Sequence, residues 1–218
     1  MQLQRNVRWL VLVASFLLPL GSMAQTVYTI PFASSGNAIE LTVANISFIP
    51  LSAVKVEAKN APSWIRFVSS EHLLQQVEAK GEAQALFSFS VEKNAPVNEK
   101  HKLLFTITTQ SGETWTKEIT ISINPPDHFN LFQNYPNPFN PTTTISYELP
   151  AASHIVLKIY NVLGQEVATL VNADRPAGHH QEIWNAANQA SGMYVYQLTY
   201  TDQHSKQQIK RKPMMLVK

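Results

Sequence analysis

The chain contains no cysteine, which removes disulfides, thiol nucleophiles and cysteine-based zinc sites and leaves no thiol for an N-terminal lipid anchor. Stability must come from packed cores. Aspartate is missing from residues 25–124, so calcium loops built on aspartate and aspartate-bearing catalytic triads are excluded there. The glycines of that stretch, Gly36, Gly81 and Gly112, stand isolated, and no phosphate-cradling loop can be assembled from them. Long apolar runs are missing too. The longest, residues 9–20, holds 12 residues, where a membrane-spanning helix needs about 20.

That run belongs to a leader. Arg5 and Arg8 precede it, Pro19 breaks it, and Gly21-Ser22-Met23-Ala24 follows, with small residues at the −3 and −1 positions of a signal-peptidase site. Residues 1–24 are therefore read as a secretory signal cut between Ala24 and Gln25, rather than as an uncleaved anchor, with the Sec machinery and a signal peptidase as partners. The chain carries 17 Lys+Arg and 15 Asp+Glu, and loss of Arg5 and Arg8 leaves 15 of each sign. The mild basicity belongs to the leader, so neither nucleic acid nor an anionic membrane is expected as a partner. The remaining length, about 194 residues, suits one large domain or two small ones of roughly 100 residues each.

From residue 27 to residue 123 apolar residues recur at every second position. Ile39, Leu41 and Val43 alternate with Glu40 and Thr42; Val54 and Val56, Phe87 to Val91, Leu103 to Ile107 and Ile119 to Ile123 repeat the pattern. Such alternation puts one face of each strand in a core and the other in water. Gln110-Ser111-Gly112-Glu113 reads as a hairpin connection. About seven strands in a hundred residues, with no helical period, predict an immunoglobulin-like two-sheet sandwich over residues 25–124, with a short barrel as the alternative that shares this signature. Two prolines, Pro125 and Pro126, then stop sheet pairing, and residues 125–128 are read as a linker.

A second β series follows: Ile145-Tyr147-Leu149, Ile155-Leu157-Ile159, then residues 167–171, 181–184, 193–200 and 208–217, with Gly164, Gly178 and Gly192 in the connections. At its head stands Leu131-Phe132-Gln133-Asn134-Tyr135-Pro136-Asn137-Pro138-Phe139-Asn140-Pro141-Thr142-Thr143-Thr144-Ile145. Pro136, Pro138 and Pro141 are expected to keep this segment extended, with Tyr135 and Phe139 anchoring it on the core.

This run resembles the opening of the C-terminal sorting domain of type IX secretion cargo, the form related in fold to the immunoglobulin-like domain of flagellar hook-capping proteins. Further family-like pieces sit in order: Ile159-Tyr160-Asn161 to Gly164-Gln165-Glu166-Val167, Ala177-Gly178, Trp184, Ser191-Gly192-Met193-Tyr194, and a last strand ending Met215-Leu216-Val217-Lys218. Two features depart from the pattern. The usual glycine soon after the tryptophan is absent in Trp184-Asn185-Ala186-Ala187, and Pro213 interrupts the last strand, where only an edge or a bulge would accommodate it. The resemblance implies that residues 129–218 are a sorting β-sandwich. It implies Sec export to the periplasm and passage through the outer membrane by the type IX translocon, with delivery to the cell surface or medium. It also implies a sortase that removes the domain and either attaches the passenger to surface lipopolysaccharide or releases it.

Little else carries chemistry. His179 and His180 are neighbours on a strand, so their rings point to opposite faces and cannot share a metal ion. In the passenger nine glutamates are scattered and the histidines are only His72 and His101; no catalytic residues, cofactor or metal are expected. Asn45-Ile46-Ser47 matches a glycosylation sequon too short to be specific. Lys206, Lys210, Arg211 and Lys212 read as a solvated edge strand protected by charge. Trp64 and Trp115 are the candidate ligand contacts, since an exposed indole stacks on a sugar ring while a buried one belongs to a core. The reading is an all-β, non-enzymatic surface protein of structural or adhesive role whose ligand is a glycan or a protein. The alternatives are a carbohydrate-binding module and a minimal hydrolase.

N-terminal sequencing of exported protein should begin at Gln25, and Ala24→Arg should leave the precursor uncut, because the peptidase pocket has neither room nor partner for a charged side chain.

Overall fold

Alternation becomes structure throughout the computed structural model, which describes residues 26–202 and 204–218. The leader and the Ala24–Gln25 junction lie outside the described residues. The strands are β1 (Val27–Ile30), β2 (Asn37–Ala44), β3 (Leu51–Lys59), β4 (Ile65–Phe67), β5 (Glu71–Val77), β6 (Glu82–Val91), β7 (Lys100–Thr108), β8 (Thr114–Ile123), β9 (Asn130–Leu131), β10 (Thr142–Leu149), β11 (Ser153–Asn161), β12 (Glu166–Arg175), β13 (Gly178–Asn185), β14 (Gly192–Thr201) and β15 (Gln207–Leu216). Among the described residues no helix is long and apolar enough to cross a membrane.

The chain divides into two compact units at Asn124/Pro125. In the first, one sheet runs β1-β8-β7-β3-β5 and the other β2-β6-β4. Eight strands form where the sequence suggests about seven; the short β4 is too brief for periodicity to show. β7 illustrates the principle: Leu103, Phe105 and Ile107 are buried while Leu104 and Thr106 between them are not. The core closes on an aromatic group in which the Phe87 and Phe105 rings lie 5.0 Å apart and Phe67 and Phe89 5.5 Å apart, spacings at which tilted rings attract. The β7–β8 hairpin turns through Gly112 at φ +88°, a conformation glycine adopts without steric cost; Thr109 N–H donates to Glu113 O at 3.0 Å across it.

The second unit also has two sheets, β13-β10-β9 and β12-β11-β14-β15. Its core comes from the inward residues of β10, β11 and β14, with Ile145, Tyr147, Leu149, Ile155, Leu157 and Tyr196 all buried. Both units are thus β-sandwiches in the expected class. Pro213 lies on β15, an edge strand, opposite Val195, where its missing N–H removes no hydrogen bond to β14 that the sheet cannot spare. Gly178, expected in a connection, instead opens β13 opposite Leu149.

Asn124, Asp127 and His128 are exposed between the two series of strands. Limited proteolysis of the folded protein should cut first within residues 124–128, since exposed connections are nicked before paired strands; a first cut inside β7 would place the boundary elsewhere.

Candidate functional site

The opening run of the second unit does not lie extended. Tyr135 N–H and Thr144 N–H each donate to the other residue's carbonyl at 2.9 Å, so the chain turns back between them, with cis peptide bonds at Tyr135–Pro136 and Asn137–Pro138. This corrects the expected anchoring. Phe139 is buried, but Tyr135 is 82% exposed: its backbone is committed to the bridge with Thr144, which turns the ring outward. Pro136, Asn137, Pro138 and Asn140 are exposed and Pro141 is half-buried, with Pro141 O accepting from Ala186 N–H at 2.9 Å.

A polar knot holds the turn. Asn134 is buried, and its amide nitrogen donates to Pro136 O at 3.0 Å and Thr143 Oγ1 at 2.9 Å. Its oxygen accepts from Gln133 Nε2 at 2.7 Å, and its backbone N–H donates to the Tyr196 hydroxyl at 2.9 Å. Tyr196 in turn donates to Phe132 O at 2.7 Å. Burial pushes the Tyr196 phenol up to about 12, against the opposing effect of the Asn134 N–H. A buried side chain with every polar atom paired specifies one arrangement, because any other leaves a group unsatisfied. Asn134 and Thr143 lie in the opening run but had no role read for them in the sequence, and Tyr196 was not singled out; the signal available was an inward position on β14 occupied by tyrosine rather than an aliphatic residue.

The same segment closes the edge of β15. Phe139 N–H donates to Met215 O and Val217 N–H to Phe139 O, both at 3.0 Å, forming a parallel bridge between Phe139 and Leu216. Asn137 Oδ1 accepts from Met215 N–H at 2.9 Å, and Gln133 Nε2 donates to Pro213 O at 2.8 Å. Below the bridge the Phe139 ring lies 5.5 Å from Trp184, which meets Tyr194 edge-on at 5.3 Å. Trp184 and Tyr194 are both buried. Of the basic cluster, Lys210 is not merely solvated: its ammonium donates to Phe129 O at 2.7 Å and lies 5.3 Å from that ring's centroid. Lys218 donates through its backbone to Ser191 Oγ at 3.1 Å. Gly192 opens β14 opposite Leu216, and Gly164, at φ +76°, completes a tight turn in which Asn161 Oδ1 accepts from both Leu163 and Gln165 N–H at 3.0 Å. The motif residues thus form one band that fastens the start of the unit to its last strand, with Gly164 apart at a hairpin tip.

The histidine pair separates as strand geometry demands. The His180 ring stacks on Tyr147 at 5.2 Å, whereas His179 lies 6.2 Å from Phe132. In the first unit Trp64 is buried in the core with its ring 4.9 Å from His101, while Trp115 is half-buried and walls a cavity of about 140 Å³. The sequon asparagine is spoken for: Asn45 is buried and its amide donates to Ile49 O at 2.8 Å and Val77 O at 3.2 Å.

Residues 133–211 match the family model of the secretion system C-terminal sorting domain. The second unit therefore carries such a domain, which the type IX machinery recognises, and the chain is cargo of that route, secreted or held at the cell surface. The match does not extend to the first unit. No curated protein matches the chain at a significant level. Among solved structures, the CupB2 chaperone of Pseudomonas aeruginosa aligns at 10% identity over 87% of this chain and 98% of that one, with a TM-score of 0.29. Dimeric latent PorU from Porphyromonas gingivalis aligns at 12% identity over 90% of this chain but only 19% of that one, TM-score 0.36. The E. coli chaperone DraB aligns at 12% identity over 88% of this chain and 95% of that one, TM-score 0.31. Likeness at this level carries no functional argument.

Tyr196→Phe keeps the ring but strands the Asn134 N–H and the Phe132 carbonyl, and should destabilise the second unit by about 2 kcal/mol. Asn140→Ala, at an exposed position, should change it by less than about 0.5 kcal/mol. Urea midpoints of the two variants check the contrast.

Proposed function

We propose that this chain is exported by the Sec machinery, trimmed by signal peptidase at Ala24–Gln25, and carried across the outer membrane with the second unit as its address. The first unit is then the delivered passenger, a non-catalytic module of structural or adhesive role at the cell surface. The observation that carries the reading is the sorting-domain match over residues 133–211, on a unit whose opening motif and last strand are built into one another. Removal of the second unit by a sortase, with the passenger attached to lipopolysaccharide or released, belongs to the same proposal, as does its kinship with the hook-capping immunoglobulin-like domain.

Support for a non-enzymatic passenger lies in what its polar side chains already do. Glu57 pairs with Lys55 and Lys59, Glu71 with Lys55, Glu92 with Arg66, and Glu118 with Lys102. These are surface pairs on strands and turns rather than a set converging in a cleft, which acid–base catalysis requires. The glycan reading rests on exposed indole faces, and the burial of Trp64 leaves it only Trp115.

Deleting residues 129–218 should leave the passenger folded in the periplasm, and fusing them to a reporter with a signal peptide should bring the reporter to the surface of a host that owns the type IX system. Trp184→Ala removes a buried ring at about 3 to 5 kcal/mol and should reduce surface labelling of intact cells far more than Lys206→Ala. Equal labelling of full-length and truncated protein would overturn the export reading.

A further inference from the structure

At one end of the first unit three connections meet: residues 45–50 between β2 and β3, residues 78–81 between β5 and β6, and the hairpin of residues 109–113. They carry a hole and, beside it, a knob. The hole is the cavity of about 140 Å³, walled by Val43, Leu51, Val54, Ile107 and Trp115 with Glu113 at its rim. The knob is Phe48, 85% exposed, followed by Ile49 at 72%. Contiguous exposed apolar surface is where soluble proteins take partners, and here it stands beside a cavity.

The knob is held rigidly. Ser47 N–H donates to Asn45 Oδ1 at 3.0 Å, Asn45 Nδ2 donates to Ile49 O at 2.8 Å, and Lys80 N–H donates to Ser47 O at 3.1 Å. Asn45 N–H donates to Gly81 O at 2.9 Å, tying the loop to its neighbour. A loop fixed in this way cannot fold its phenylalanine away, and loses little freedom when the ring is buried elsewhere. The Lys80 ammonium sits 4.0 Å from the Phe48 ring centroid, so the knob carries a positive charge, while the hole carries the exposed carboxylate of Glu113.

We propose that the first unit pairs with a second copy of itself by reciprocal insertion, Phe48 of each copy entering the other's Trp115-walled cavity. The size fits: an apolar cavity of about 150 Å³ holds one benzene ring. The charges fit as well, since insertion carries Lys80 to the partner's Glu113. Knob and hole lie on the same end of one unit: Phe48 directly follows Ser47, which lines the cavity. Two copies related by a two-fold axis can therefore satisfy both at once, giving a closed pair rather than an open fibre. The contact area is small, so the pair is weak and reversible in dilute solution and strengthens where copies are confined to one surface. None of this depends on the route of export.

Sedimentation equilibrium of the protein comprising residues 25–218, from about 10 μM to about 1 mM, should show a reversible monomer–dimer equilibrium. Phe48→Ala should raise the dissociation constant at least about tenfold, as loss of a central aromatic anchor does. Lys80→Glu and Glu113→Lys should each weaken the pair. The double variant should return to within about threefold of the original, because the two charges are exchanged rather than lost. All these positions are exposed, and because the Lys80 ammonium also donates to Ile46 O, the urea midpoint of each variant is compared with the parent so that loss of pairing is read on folded protein. A protein monomeric throughout, a dimer indifferent to Phe48→Ala, or a double variant as weak as the singles would each overturn the proposal. So would a monomer that instead co-sediments with anionic phospholipid vesicles through Phe48, which would assign the knob to a lipid surface.

Discussion

A sheet edge left open is an invitation to the wrong partner, and in the second unit the order of the whole domain turns on how one such edge is closed. β15 pairs with β14 on one side only. Its other side meets Phe139, whose backbone exchanges hydrogen bonds with Met215 and Val217, while Asn137 and Gln133 take the neighbouring N–H and carbonyl. Backbone groups at an edge template aggregation unless paired, charged or interrupted. Here all three devices operate on one strand: the opening segment pairs with it, Lys210, Arg211 and Lys212 charge it, and Pro213 interrupts it.

Closing the edge also aligns the core. Once Phe139 is bridged to Leu216, its ring falls against Trp184, and Trp184 against Tyr194. Without disulfides, this aromatic column and the Asn134–Thr143–Tyr196 knot do the fastening that cross-links supply in many secreted domains. The two devices differ in kind. The column contributes through buried area and tolerates small adjustments, whereas the knot contributes through the penalty of leaving any one of its groups unpaired. The first gives stability, the second a single permitted geometry.

Strand positions were legible because each strand buries one face, and a period of two then survives in the sequence: Leu103-Phe105-Ile107 and Ile155-Leu157-Ile159 could be placed in cores from their spacing alone. The type of the opening motif was legible for a different reason, its order of prolines and asparagines. What spacing could not supply was direction. Tyr135 and Phe139 are both aromatic and both flank prolines, yet one points to water and the other to Trp184, because the choice is made by backbone bridges to Thr144 and Leu216. Trp64 was equally undecidable, being a ring beside a three-residue strand too short to display a period. The Phe48 knob left no pattern at all, since an apolar residue in a loop reads the same whether it is folded under or held out.

The fastening of Gln133 to Pro213 joins residues 80 positions apart. A chain that enters a compartment from its N-terminus presents the opening motif long before the strand that completes it, and contacts so distant along the chain form late and slowly. The first unit is closed over a longer span still, its first strand pairing Val27 with Thr120 of the last, so in both units the leading segment waits for the final strand. Each unit is thus finished only when its first and last segments meet, and it stands or falls as a whole.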